Sequence, residues 1–172
     1  MSSLLMRTVL AAVVITASAT YANAQQFQAT LSGLDEVPPV SSPGQGTLSL
    51  NLNTQQQSLT YTLTYSNLST PVTQAHIHFG KVHVAGGIMV FFCSSIGGPV
   101  GMPLCPAPST TLAGMFTPAS VIGPVAQGIS AGDFAALATA LLSQTAYANV
   151  HTAQFPAGEI RGEIIRRTQN QR

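Results

Sequence analysis

The run Ser58 to Tyr65 constrains the fold more than any other stretch of this chain. Leu59, Tyr61, Leu63 and Tyr65 alternate there with Ser58, Thr60, Thr62 and Thr64. Successive side chains of a strand point to opposite faces, so the run puts an apolar row on one side and hydroxyls on the other. A helix would scatter the same residues around its circumference. The run is therefore a half-buried antiparallel strand, with one face on a core. Gln26 to Ser32, with Phe27, Ala29 and Leu31, repeats the pattern, and so does Thr47 to Asn53, with Leu48, Leu50 and Leu52. Asn53-Thr54-Gln55-Gln56 reads as the hairpin connection between the second and third runs.

Further strands are expected at Gln74 to Phe79, Ile88 to Cys93, Thr110 to Phe116, Ala146 to His151 and Glu159 to Ile165. Short strands divided by Gly and Pro turns build sandwiches and barrels. One helix interrupts them: Ser130 is the expected cap, Asp133 the third position, and Phe134, Leu137, Leu141 and Leu142 the apolar stripe. The expected fold is mainly β, an antiparallel β-sandwich or barrel, immunoglobulin-like or superoxide-dismutase-like, with one short α-helix. No internal repeat or linker divides the chain.

At the N-terminus, Arg7 precedes an apolar run from Val9 to Ala19, and Ala22-Asn23-Ala24 follows with a small-x-small pattern. That order predicts a signal peptide over residues 1–24, cleaved near Ala24, and a secreted or periplasmic protein. The apolar run falls short of the roughly 20 residues of a membrane-spanning helix, so no transmembrane segment is expected after cleavage. Residues 25–172 would then form a single domain with its core at about 26–165. Removing Arg7 from six basic residues balances the five acids, which argues against a nucleic-acid partner. Between Val37 and Gly132 the only charged side chain is Lys81, so the surface there is built from Thr, Ser, Gln and Asn. Such a surface suits an exported protein or a face that meets a partner. Cys93 and Cys105 are an even pair in an oxidising compartment and are expected to form a disulfide.

Three segments in order resemble the CHRD (chordin-type) domain family. They are Leu31-Ser32-Gly33 with Glu36-Val37-Pro38-Pro39-Val40, then Ala75-His76-Ile77-His78-Phe79-Gly80, then Ala146 to Thr152 with Pro156 to Gly162. The resemblance runs from about Gln26 to Ile165. It implies an extracytoplasmic location and a shared fold, not a reaction, because fold does not fix function.

His76 and His78 are two apart in a strand and present their imidazoles on one face. With His151 from another strand they form a candidate site for Cu or Zn, and His83 is either a fourth ligand or an exposed side chain. Cu,Zn superoxide dismutase offers a local analogy in its His-x-His strand, but no Asp near His83 completes a zinc site. The competing expectation is that the imidazoles hydrogen-bond backbone, Asn149, Thr152 or Glu159 and brace the sheet.

Glu159, Arg161 and Glu163 alternate along the last strand and, with Glu36 or Asp35, are expected to form an ion-pair cluster. Two acids four residues apart stand about 13 Å from each other in a strand, beyond the roughly 5 to 9.5 Å of glycosidase pairs. Tyr61, Tyr65 and Tyr147 are read as packing. No nucleophile elbow, phosphate loop or HExxH helix occurs, and no catalytic residue is assigned. The leading expectation is a non-catalytic extracytoplasmic module that binds an extracellular protein or cell-surface ligand, or serves structurally. The alternative is a metal-binding sandwich with a redox role.

Overall fold

The structure, a computed structural model, describes residues 24–167. The expected signal peptide lies almost wholly outside the described residues. Nine strands form one antiparallel sheet: β1 (Gln25–Ser32), β2 (Gln45–Asn53), β3 (Ser58–Ser66), β4 (Val72–Phe79), β5 (Gly87–Ser94), β6 (Thr110–Phe116), β7 (Ala146–Thr152), β8 (Ile160–Glu163) and β9 (Ile165–Arg166). Their spatial order is β5-β4-β7-β8-β1-β2-β3-β6, with β9 beside β1. The sheet curls almost into a barrel. Its two edge strands meet through aromatic rings: Phe92 of β5 lies 5.4 Å from Phe116 of β6, and Tyr61 of β3 contacts both. Closure of this kind protects the strand edges.

The alternation that predicted β1 to β3 is what buries them. Phe27, Ala29, Leu31, Leu48, Leu50, Leu52, Leu59 and Leu63 all face the core. The α-helix (α1, Phe134–Leu142) seals the interior with Phe134, Leu137 and Leu141. Its cap differs from expectation. Asp133, not Ser130, occupies the N-cap and accepts a hydrogen bond from the Ala136 amide at 2.9 Å. A carboxylate satisfies the orphan amides better than a hydroxyl placed three residues too early. The last expected strand is also divided, because β8 ends at Glu163 and β9 pairs separately with β1.

Two halves of the sheet treat their outer faces differently. Along β2 every second residue is exposed, and these are Gln, Thr, Ser and Asn. Along β4, β7 and β8 no residue is exposed on either face, and most are buried. Segments 33–42, 80–86 and 153–158 supply the residues that meet this outer face. That burial encloses polar side chains away from the apolar core.

The pairing of β4 with β5 slips twice, between Ala75 and His76 and between Ile77 and His78. Phe92 and Met89 are the extra residues on β5, so the register steps around the two histidines. Irregularities of this kind re-aim side chains.

Cys93 and Cys105 form the expected disulfide. It ties the end of β5 to a loop that also bonds β4, through the Gln74 side-chain amide donating to the Ile96 carbonyl at 2.8 Å. Changing both cysteines to serine is expected to lower stability by about 3 kcal/mol, from the freed loop entropy. Urea unfolding of the double variant checks this, and an unchanged midpoint contradicts it.

Candidate metal centre

The centre is built on β4 and β7. In their pairing Gln74 lies opposite His151, His76 opposite Asn149 and His78 opposite Tyr147. Residues two apart share a face, so His76, His78, Tyr147, Asn149 and His151 all project away from the core. From β8, Arg161 and Glu163 join the same face opposite Asn149 and Tyr147. The loops over this face leave His76 only 1 % and His78 only 7 % exposed, with His151 half-buried.

One potential ligand atom from each of His76, His78 and His151 lies within 4.8 Å of the other two. Ring centroids stand 5.2 Å apart for His76 and His78, and 4.9 Å for His76 and His151. The backbone sets the tautomers. His78 donates from Nδ1 to the Gly86 carbonyl at 2.9 Å, and His151 donates from Nδ1 to the Pro156 carbonyl at 3.0 Å. An Nδ1–H bonded to a carbonyl leaves Nε2 as a bare lone pair, the arrangement of a ligating histidine. Both Nε2 atoms are buried and make no hydrogen bond, and neither nitrogen of His76 makes one. Four unpaired ring nitrogens in one buried cluster are costly unless something binds them.

Burial sets the charge of the rings. It pushes His76 down to about 2, with His151 and His78 adding repulsion, and His78 down to about 4 against the raising effect of the Gly86 carbonyl. His151 is lowered too, again by burial. Neutral imidazoles are the form a metal needs.

Aromatic rings form the walls. Phe91 meets His76 edge-on at 4.3 Å, and Tyr147 stacks on His78 at 4.8 Å and 4°. Behind Tyr147 lies the Arg161 guanidinium, 3.5 Å from the ring centroid. Arg161 donates to the carbonyls of Lys81 and Val84 and to Glu163, and so ties down the loop whose Gly86 carbonyl orients His78. Gly86 suits its place because a Cβ there would collide with the Phe79 carbonyl. Its amide donates to the Tyr147 hydroxyl at 3.1 Å.

The four acids and bases expected to cluster divide into three groups. Arg161 pairs with Glu163 at 2.8 Å, the one ion pair among the described residues. Glu159 stands apart: it accepts hydrogen bonds from Ser42, Thr152 and Ser69. Burial raises it, but those donors outweigh burial and hold it below its ordinary value. Glu36 is buried beside Asn149, whose side-chain amide donates to it at 3.4 Å, and desolvation raises it to about 7 despite the Arg161 charge. Asp35 takes a hydrogen bond from Ser32 instead. Asn149, Thr152 and Glu159 do not partner the histidines; Thr152 donates to Glu159. His83 is exposed on the loop after β4 and lies outside the cluster of three.

Tyr147, read from sequence as packing, is a wall of the site. Its spacing of four from His151 on one strand was the available signal. Phe91 and Gly86 carried no signal, and Pro156 entered only as part of a CHRD-like segment; bulges and loops bring all three to the site.

The protein family described as CHRD domain matches residues 27–164, which span every element from β1 to β8 and hold the whole site. No curated protein matches the chain, and no solved structure does.

Proposed function

The chain belongs to the CHRD family, and from that premise we propose that it is an extracytoplasmic metal-binding module in which His76, His78 and His151 hold one copper or zinc ion. The observation that carries the reading is the set of inward nitrogens, with the Nδ1 atoms of His78 and His151 each bonded to a backbone carbonyl. Three imidazoles around one ion at about 2.0 to 2.1 Å set their nitrogens about 3.3 Å apart. The present separations reach 4.8 Å, and the His76 ring, free of hydrogen bonds, has the freedom to close the difference. The disulfide agrees with export to an oxidising compartment. No described helix is long and apolar enough to cross a membrane.

The test is direct. Protein stripped with chelator and titrated with Cu²⁺ or Zn²⁺ takes up one ion per chain, and His76→Ala or His78→Ala lowers affinity at least about a hundredfold. Uptake unchanged in both variants, or none in the parent protein, overturns the proposal. A second reading, recognition of an extracellular partner, draws on exposed Ile96, Val100 and Leu104 around the disulfide loop. It needs no metal and predicts that chelation leaves partner binding intact. A catalytic role is not part of either reading.

A further inference from the structure

The seam between edge strands β5 and β6 holds a cavity of about 280 Å³. The two strands end the sheet order and meet through rings rather than through backbone, so side chains line the space between them. Phe91, Phe92 and Phe116 supply aromatic surface, and Met102 and Met115 add thioethers, which favour contact with rings. The walls are fastened before anything binds. The Ser94 amide donates to the Pro103 carbonyl at 2.9 Å, and the Cys93–Cys105 bridge closes the loop that carries residues 99–103. Likewise the Ile122 amide donates to the Met89 carbonyl at 2.9 Å and pins residues 119–122 to β5. A site fixed in advance loses little entropy on binding.

No charged side chain lines the cavity among the described residues. A charged occupant would lose hydration there without gaining a partner, which is strongly unfavourable. Of the polar side chains, Ser120 is engaged, because its Oγ accepts from the Thr117 amide at 3.1 Å. The Tyr61 hydroxyl remains. It lies over Gly114, where an added Cβ would come within 2.7 Å of it. Burial raises it above its ordinary value, and no hydrogen bond among the described residues offsets that. We propose that this cavity binds a small neutral aromatic molecule of one or two rings, oriented by a hydrogen bond to Tyr61. The volume lies just below the usual range of ligand pockets, about 300 to 1,000 Å³, and sets that size. The proposal is independent of the metal reading, although Phe91 touches both sites: its ring meets His76 edge-on at 4.3 Å.

The experiment titrates the full chain, isotope-labelled at its methionine methyls, with indole and follows the methyl resonances. Met102 and Met115 line the cavity, while Met89 is fully buried in the core. Met102 and Met115 are expected to shift saturably, with one indole per chain, and Met89 to shift far less. Tyr61→Phe should weaken binding about fivefold, the worth of one neutral hydrogen bond. Ile122→Glu, at a position 37 % exposed, sets a carboxylate on the wall and should weaken binding at least about tenfold. A parent-like Met89 signal shows that each variant is folded. Indole-3-acetate, the anionic analogue, should likewise bind at least about tenfold more weakly than indole. Shifts that rise linearly without saturation, or binding unchanged in both variants, overturn the proposal. Shifts at Met102 and Met115 that track protein concentration without indole also overturn it, and assign the cavity to a second copy of the chain.

Discussion

Arg161→Ala is expected to destabilise the protein by about 3 to 5 kcal/mol, the usual cost of removing one partner from a buried charge network. The side chain is 1 % exposed and meets three acceptors: the Lys81 and Val84 carbonyls and Glu163. Its loss leaves the Lys81 carbonyl with the Val84 amide alone, takes the Arg161 donor from the Val84 carbonyl, removes the cation from the Tyr147 ring and opens a cavity beside β7. Lysine does not restore the arrangement, because a single ammonium cannot reproduce a planar fork that stacks on a ring. The same change loosens the loop that presents Gly86 to His78, so metal affinity should fall by about 10- to 100-fold. Denaturant unfolding and metal titration of Arg161→Ala and Arg161→Lys check both parts. A stability loss below about 1 kcal/mol would place Arg161 among ordinary surface pairs and contradict its role here.

The second large effect is acid sensitivity of the metal-free protein. His76, His78 and His151 have folded values below the ordinary one, so the unfolded chain binds protons more readily. Their contribution to stability is therefore present above about pH 6.5 and is lost as the pH falls. The loss continues through about 4 for His78 and about 2 for His76. Glu159, lowered by its donors, adds to the acid loss below the ordinary carboxylate value. Glu36 works in the opposite direction. Its folded value is raised to about 7, so its contribution is complete below the ordinary 4.5 and fades as the pH rises through 7. Three histidines outweigh one glutamate below neutral pH, so stability is expected to rise until about pH 7 and to be lower by on the order of 3 kcal/mol at pH 4. Thermal or urea unfolding across that range measures it. His76→Gln should flatten the acid limb; an acid limb as steep as in the parent protein contradicts the assignment.

Strand alternation made half of this fold legible. β1, β2 and β3 face water on one side, so their sequences record the period of two without interference. β7 is buried on both faces, and Ala146-Tyr147-Ala148-Asn149-Val150-His151 alternates between small or apolar and functional residues. That pattern identifies a strand but does not say that loops cover the functional face. On β5 the bulges bury Met89, Val90, Phe91, Phe92 and Cys93 in succession, which hides the period altogether. The helix was legible from its apolar stripe, while its cap depended on which of Ser130 and Asp133 reached the Ala136 amide.

The candidate site was legible in part for the same reason. His76 and His78 announce a shared face through their spacing, and His151 entered through a segment that resembles the CHRD family. The carbonyls that orient the rings, Gly86 and Pro156, belong to backbone and leave no mark in a sequence. The division of Glu36, Glu159 and Glu163 into separate partners depends on segments 33–42 and 66–71, which approach only after folding.

His76, His78 and His151 are proposed to share one ion. X-ray absorption at the metal edge of copper- or zinc-loaded protein tests it most directly, because the scattering counts imidazole ligands. Three histidine nitrogens at about 2.0 to 2.1 Å are expected in the parent protein and two in His151→Ala. An oxygen-only shell, or three imidazoles retained in that variant, would contradict it.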